Sequence, residues 1–233
     1  MVAPDARVRG PRVTDQPIRP AATVILARQT PAGPQILMGM RGASAVFMPS
    51  KYVFPGGAVD AADAQVPLAR PLAAAQADLL ADAPGPQALA AAAIRELWEE
   101  TGLALGHPGA WPGPVPAGWQ GFAARGLCPV ADGLRFVFRA ITPPGRPRRF
   151  DARFFLADAT GIAGDLDDFS AACDELSHLH WIGLTEARRL DLPFITEVVL
   201  SEVSMILRGG DQPGVPFFDN STSTPTFRRV MPG

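Results

Sequence analysis

The chain has 233 residues, 47% of them apolar, and a formal net charge of −2. That is enough apolar material to fill the core of one large domain, and the near-neutral balance argues against a nucleic-acid partner, which is normally met by a basic surface. No apolar run approaches the roughly 18 residues of a membrane span, so a cytoplasmic protein without a membrane partner is expected.

The first 19 residues are rich in Arg and Pro, carry Asp5 and Asp15, and contain no apolar signal core. They read as a flexible tail rather than a targeting segment. Residues 21–28 (AATVILAR) read as a buried strand and residues 35–41 (QILMGMR) as a second, with Pro31-Ala32-Gly33-Pro34 as the turn between them. A third short strand ends at Phe54, before Pro55-Gly56-Gly57. Residues 64–83 are rich in Ala and Leu but broken by Pro67 and Pro71. Residues 87–101 (QALAAAAIRELWEET) consist of strong helix formers, and Gly102 stands where a C-cap glycine belongs.

The proline density of residues 106–118 predicts a loop, followed by a weak helical segment over 119–128. Strands are expected near 135–141 and 152–157, then an acidic loop from Gly164 to Asp168. A strand over 178–183 would carry His178 and His180 on one face. Helices over 185–191 and 194–208 follow, the second with Ile195, Val198, Val199, Glu202 and Ile206 on one side. The Pro-, Ser- and Thr-rich segment 209–233 reads as an irregular tail, and its final Met-Pro-Gly is no peroxisomal address. This order of elements predicts a mixed sheet with helices on both faces, in one domain over 20–208. Cys128 and Cys173 have neither CxxC nor zinc spacing, which fits free thiols.

The chemistry concentrates in Arg95-Glu96-Leu97-Trp98-Glu99-Glu100-Thr101-Gly102-Leu103. On a helix, Glu96, Glu99 and Glu100 fall at i, i+3 and i+4 and crowd one face. Their mutual repulsion, near the negative end of the helix, opposes local stability. A hard divalent cation would reverse that balance, since Mg²⁺ and Mn²⁺ favour carboxylate oxygen. A solvated acidic face is the other reading of these three residues alone. Upstream, Gly56-Gly57 permits close backbone approach or a turn with positive φ.

Together these segments resemble the Nudix superfamily. Its box begins with a glycine, has a glutamate after five intervening residues and, after seven more, reads Arg-Glu-aliphatic-any-Glu-Glu-any-Gly-aliphatic. Arg95 to Leu103 supply the second half in full. Gly57 opens the first half, Asp63 takes the glutamate position, and Arg95 stands 24 residues later than uninterrupted spacing would place it. An interrupted box, Arg41, Phe47-Met48-Pro49, the Gly-Gly-x-x-Asp-x-x-Asp run and the segment 141–156 resemble one branch in particular, the peroxisomal-type coenzyme A diphosphatases.

The resemblance implies an α/β/α sandwich with a mixed sheet and a helical insertion at about 64–87, which would serve as a lid, a dimer contact or a platform for a long substrate arm. It implies metal-dependent hydrolysis of a diphosphate linkage in a small nucleotide, with Mg²⁺ or Mn²⁺ on Glu99 and Glu100. Glu96 would be a further ligand or orient the water. The Gly57 carbonyl would complete the ligand set, and Arg95 would fix a box carboxylate. Glu175 is the candidate base or extra ligand from outside the box, an exposed loop acid being the other reading. Arg41, with Gly56 and Gly57, would meet the substrate, a surface arginine being the other reading of Arg41. Arg149 and Arg153 read as partners of Asp151 and neighbouring acids, contact with substrate phosphates being the other reading; Trp98 reads as core packing, and Trp111 and Trp119 as loop anchors, with stacking on an adenine the other reading. Coenzyme A or an acyl-coenzyme A is the first substrate class, and ADP-ribose, NADH or a nucleotide sugar the second. A non-catalytic nucleotide sensor is the third reading. Homodimers are common among relatives, but nothing in the sequence requires one.

Overall fold

The computed structural model describes residues 16–82 and 84–232. Its central strand, β1 (Ile18–Thr30), puts Ala22, Val24 and Leu26 in one apolar core and Ile25 and Ala27 in another. A strand buried on both faces reads as a continuous apolar run and not as an alternation. β2 (Gly33–Arg41) returns antiparallel to the second half of β1, while β4 (Gly56–Ala58) pairs with its first half. β3 (Tyr52–Val53) adds to β2. A 3-10 turn (Ala61–Gln65) and α1 (Ala74–Asp78) lead into α2 (Pro86–Thr101).

Then come β5 (Ala104–Pro108), α3 (Gln120–Ala124), β6 (Leu127–Pro129), β7 (Arg135–Ile141), β8 (Arg149–Asp158) and β9 (Ile162–Ala163). β10 (Leu176–Gly183), α4 (Leu184–Ala187), α5 (Phe194–Leu207), β11 (Val215–Asp219) and β12 (Thr226–Val230) complete the order. The main sheet runs β10-β2-β1-β8-β7-β11-β12, and a small sheet runs β6-β5-β9. β1 with β8 and β7 with β11 are parallel, the other pairs antiparallel.

The sheet is therefore mixed, and its two faces carry separate cores. α2 packs on one face and α5 on the other, giving the expected α/β/α sandwich. Every residue of α2 from Ala88 to Ile94 is buried, which the alanines make feasible by letting neighbours close in on all sides. Pro86 opens the helix. Gly102 closes it in the left-handed region at φ 74°, donating to the Trp98 carbonyl at 2.8 Å. Among the described residues no helix is long and apolar enough to cross a membrane, and both cysteines are free thiols.

Several local expectations are corrected. Gly106–Pro108 belong to β5 and not to a loop; a side chain at Gly106 would meet the Phe122 ring at 2.8 Å, so the glycine serves packing. In β10 a bulge between Ser177 and His180, with His178 at φ 51°, breaks the alternation that would have put the two histidines on one face. The buried side of α5 is Thr196, Val199, Leu200, Val203, Ser204 and Ile206, so Leu200 and Val203 stand where Glu202 was expected. The segment after Gly209 is not irregular, because β11 and β12 extend the main sheet. Among the described residues of 64–87, only Ala74–Asp78 form an α-helix before Pro86, since Pro67 and Pro71 interrupt the Ala/Leu run. Val66, Leu72 and Leu80 of this segment are buried in the α2 core, and Gln76 accepts the Phe136 N–H at 2.7 Å.

Candidate active site

β4 and the C-terminal half of α2 meet at the box residues. Arg95, 6% exposed, uses all five of its N–H donors. Nε and Nη2 grip both oxygens of Asp63 at 3.0 Å each. Nη2 also donates to the Ala58 carbonyl at 2.9 Å, and Nη1 donates to Glu96 at 2.8 Å and Glu99 at 3.0 Å. Burial works against its charge, but Asp63 and Glu96 more than compensate and hold the guanidinium protonated more firmly than usual. Asp63 is 1% exposed and also accepts the Asp60 N–H at 2.8 Å. The residue that departs from the family glutamate is thus a bidentate partner of the box arginine, across the insertion.

Gly56 and Gly57 work by close approach. Neither has positive φ, which corrects the turn reading. Both are extended and paired with Thr23 and Ala22 of β1. A Cβ on Gly57 would lie 2.4 Å from a Glu96 carboxylate oxygen, and one on Gly56 would lie 2.6 Å from the Ala22 carbonyl. The Gly56 N–H donates to Glu100 Oε2 at 2.7 Å, whereas the buried Glu100 Oε1 has no hydrogen-bond partner among the described residues.

Burial pushes the Glu96 carboxyl up to about 7; Glu99 and Glu175 add repulsion, and Arg95 opposes. Glu100 is raised well above the ordinary carboxylate range, first by burial and then by the Glu96 charge, with the Gly56 N–H opposing. Both groups lie where negative charge is disfavoured.

A cavity of about 900 Å³ opens on this cluster. Glu96, Gly56, Gly57, Arg41 and Glu175 line it together, and Arg41 Nη2 donates to Glu175 Oε1 at 2.7 Å. Arg95, Glu99 and Glu100 do not line it. Glu100 is buried beneath Gly56, and Glu99 turns towards Arg95. Among the described residues no three acids, histidines or cysteines converge closely enough to enclose an ion. The donor set nevertheless fits a hard cation. An oxygen of Glu100 is buried without a hydrogen-bond partner among the described residues, Glu96 and Glu100 are both destabilised as anions, and Gly57 leaves space beside Glu96.

Other sequence candidates fall elsewhere. Arg149 donates to the carbonyls of Thr142, Asn220 and Ser221, and Arg153 pairs with Asp151 at 2.9 Å. Trp98 packs edge-on against Phe122, Trp111 donates to the Leu127 carbonyl, and Trp119 is 1% exposed. None of the described residues of the insertion lines the cavity. Sequence reasoning gave no role to the cavity residues Arg19, Arg146, Arg148, Phe150, Phe194 and Phe218. The Phe47-Met48-Pro49 motif forms part of its wall. Phe47 contacts Phe150 edge-on at 5.4 Å.

A mixed-sheet α/β/α sandwich with a glycine-backed carboxylate helix defines the class. No family model matches the chain. A Caenorhabditis elegans protein named nudix hydrolase 7 is 31% identical over 70% of this chain and 51% of its own length. The acyl-coenzyme A diphosphatase NUDT19 of Gallus gallus is 34% identical over 49% of this chain and 39% of its own. The crystal structure of a Nudix hydrolase from Alicyclobacillus acidocaldarius superposes with a TM-score of 0.61 at 26% identity, covering 83% of this chain and 96% of that one. The box residues, the sandwich fold and these relatives together support the Nudix hydrolase superfamily. It spans about half the length or less of the two sequence relatives.

Proposed function

We propose that the chain is a diphosphatase that hydrolyses a nucleoside diphosphate derivative, with coenzyme A or an acyl-coenzyme A as substrate and Mg²⁺ or Mn²⁺ as cofactor. The observation that carries this reading is the continuity of the cavity. It begins at Glu96 and Gly57 and extends to Phe194 and Phe218, which is more space than a bare diphosphate fills. Its volume lies within the roughly 300–1,000 Å³ of small-molecule sites. The avian relative's name, acyl-coenzyme A diphosphatase, supports the same substrate class.

Glu96 and Glu100 hold the cations in this reading, joined by Glu99 once it leaves Arg95, with the Gly57 carbonyl as the backbone ligand. Bound Mg²⁺ or Mn²⁺ would neutralise diphosphate oxygens and make water a better nucleophile. Arg95 and Asp63 fix the helix carboxylates, and the Gly56 N–H fixes Glu100. Arg41 meets the phosphates and, through its ion pair, aims Glu175, the candidate base, at the cleft. A panel of coenzyme A, acetyl-coenzyme A, NADH, ADP-ribose and a nucleotide sugar tests the reading, with Mg²⁺ or Mn²⁺ and with EDTA. Cation-dependent cleavage of the coenzyme A species, lost by at least about a hundredfold in Glu99→Gln/Glu100→Gln, is expected. Cleavage of another substrate alone refutes the substrate class, and cleavage undiminished in EDTA refutes the metal assignment.

A further inference from the structure

Beyond the carboxylates, the floor of the cavity is one register row of the sheet. Ala58 of β4 pairs with Ala21 of β1, Ala21 with Ala152 of β8, Ala152 with Ala140 of β7, and Ala140 with Phe218 of β11. All five line the cavity. Directly paired residues point to the same side of a sheet, so four methyl groups form a line across the strands. Phe154 stands two residues further along β8 on one side of that line, and Phe150 two residues back on the other; both line the cavity. The result is a trench spanning four strand spacings, roughly 19 Å. One end is the Gly57–Glu96 corner.

The other end is aromatic. Phe218 lies edge-on to Phe194 at 6.3 Å and tilted against Phe227 at 6.5 Å. Phe194 is 67% exposed and Phe227 58% exposed, so two rings beside a cleft present their apolar surface to water. Arg19, Arg146 and Arg148 line the same cleft and make no ion pair with a described residue. The cleft thus combines a cationic border with an apolar terminus, which complements an anionic molecule ending in an apolar chain. A second copy of this chain fits less well. Three rings can bury roughly 600 Å² between them, below the roughly 800 Å² that each partner contributes to a specific interface.

We propose that the trench holds an extended arm attached to the diphosphate, and that Phe194, Phe218 and Phe227 receive an acyl chain at its end. The acyl thioester is then bound in preference to the free thiol. This rests on the diphosphatase reading above and adds a residue-level basis for acyl selectivity.

Isothermal titration in EDTA, where affinity is read without turnover, compares coenzyme A with octanoyl-coenzyme A. Hydrolysis of both with Mn²⁺ runs alongside. The octanoyl form is expected to bind roughly tenfold more tightly or better, the scale of a few methylenes in an apolar site. Most of that advantage should vanish in Phe194→Ala/Phe227→Ala, whose removed rings are more than half exposed and so spare the core. Equal affinity for the two ligands overturns the proposal. So does an acyl preference that survives the double variant. A changed oligomeric state by light scattering, with the preference intact, makes the aromatic cluster a subunit contact and also overturns it. In each of these cases coenzyme A cleavage leaves the diphosphatase reading standing. If neither coenzyme A species binds or is cleaved, that reading falls and takes the acyl site with it.

Discussion

At the scale of single residues, the site is organised by an arginine and not by its glutamates. Arg95 sits nearly buried between Asp63 on one side and Glu96 and Glu99 on the other. Removing Asp63 strands part of a buried guanidinium, so Asp63→Ala should cost about 3 kcal/mol, the lower part of the range for breaking a buried pair. For a chain of this size that corresponds to a drop in Tm of about 8 °C. Asp63→Asn, which keeps one acceptor, should lose less. A thermal melt in which the alanine variant stays within about 1 °C of the native chain would show that Asp63 is not the anchor. The sequence made Arg95, Glu96, Glu99 and Glu100 legible because helical spacing places them together. Asp63 was visible only as a departure from a family position. Its grip on Arg95 joins residues 32 apart, a distance over which local patterning carries no information.

At the scale of elements, the two glycines of β4 make separable contributions. A methyl at Gly57 meets the end of the Glu96 side chain, which can swing away; a methyl at Gly56 meets the backbone of β1, which cannot. Gly57→Ala should therefore keep a near-native Tm and lose activity by about tenfold or more, because it displaces Glu96 from its place beside β4. Gly56→Ala should lower Tm itself, with a cost of about 1–3 kcal/mol as overpacking requires. Melting curves and rates on both variants decide the matter, and a Gly57→Ala protein with full activity would remove Glu96 from the cation site. Among the elements that sequence patterning found, β1, β2, α2 and α5 are long and strongly periodic or wholly apolar. Those it missed are short. β5 contains Gly106 and ends at Pro108, and β11 and β12 are five-residue strands separated by an Asn-Ser-Thr-Ser-Thr-Pro stretch. Their strand state comes from partners distant in sequence, β6 and β9 for β5 and β7 for β11.

At the scale of the whole molecule, gathering carboxylates for a cation lowers the stability of the cation-free fold. Glu96 carries the clearest signature, a carboxyl raised from an ordinary value of 4.5 to about 7 by burial and neighbouring acids. The native state then binds a proton more tightly than the unfolded chain. The penalty is absent below about pH 4.5, grows as pH climbs through the window, and is complete above about 7, where it reaches about 3 kcal/mol. In EDTA, Glu96→Gln should therefore melt with the native chain at pH 4.5 and above it at pH 8, by an amount that increases between the two. Saturating Mg²⁺ or Mn²⁺ should reverse the order at pH 8, since a ligand that binds only the folded state stabilises the native carboxylate site while glutamine supplies a weaker one. Melting temperatures of both proteins across that pH range, with and without cation, test the argument. A native-minus-variant difference that does not change with pH in EDTA would mean that Glu96 is already well solvated or fully paired by Arg95. One that ignores the cation at pH 8 would mean that the carboxylate face of α2 is structural. If both differences move as expected, the repulsion encoded in Glu96, Glu99 and Glu100 is the stability cost of a cation site.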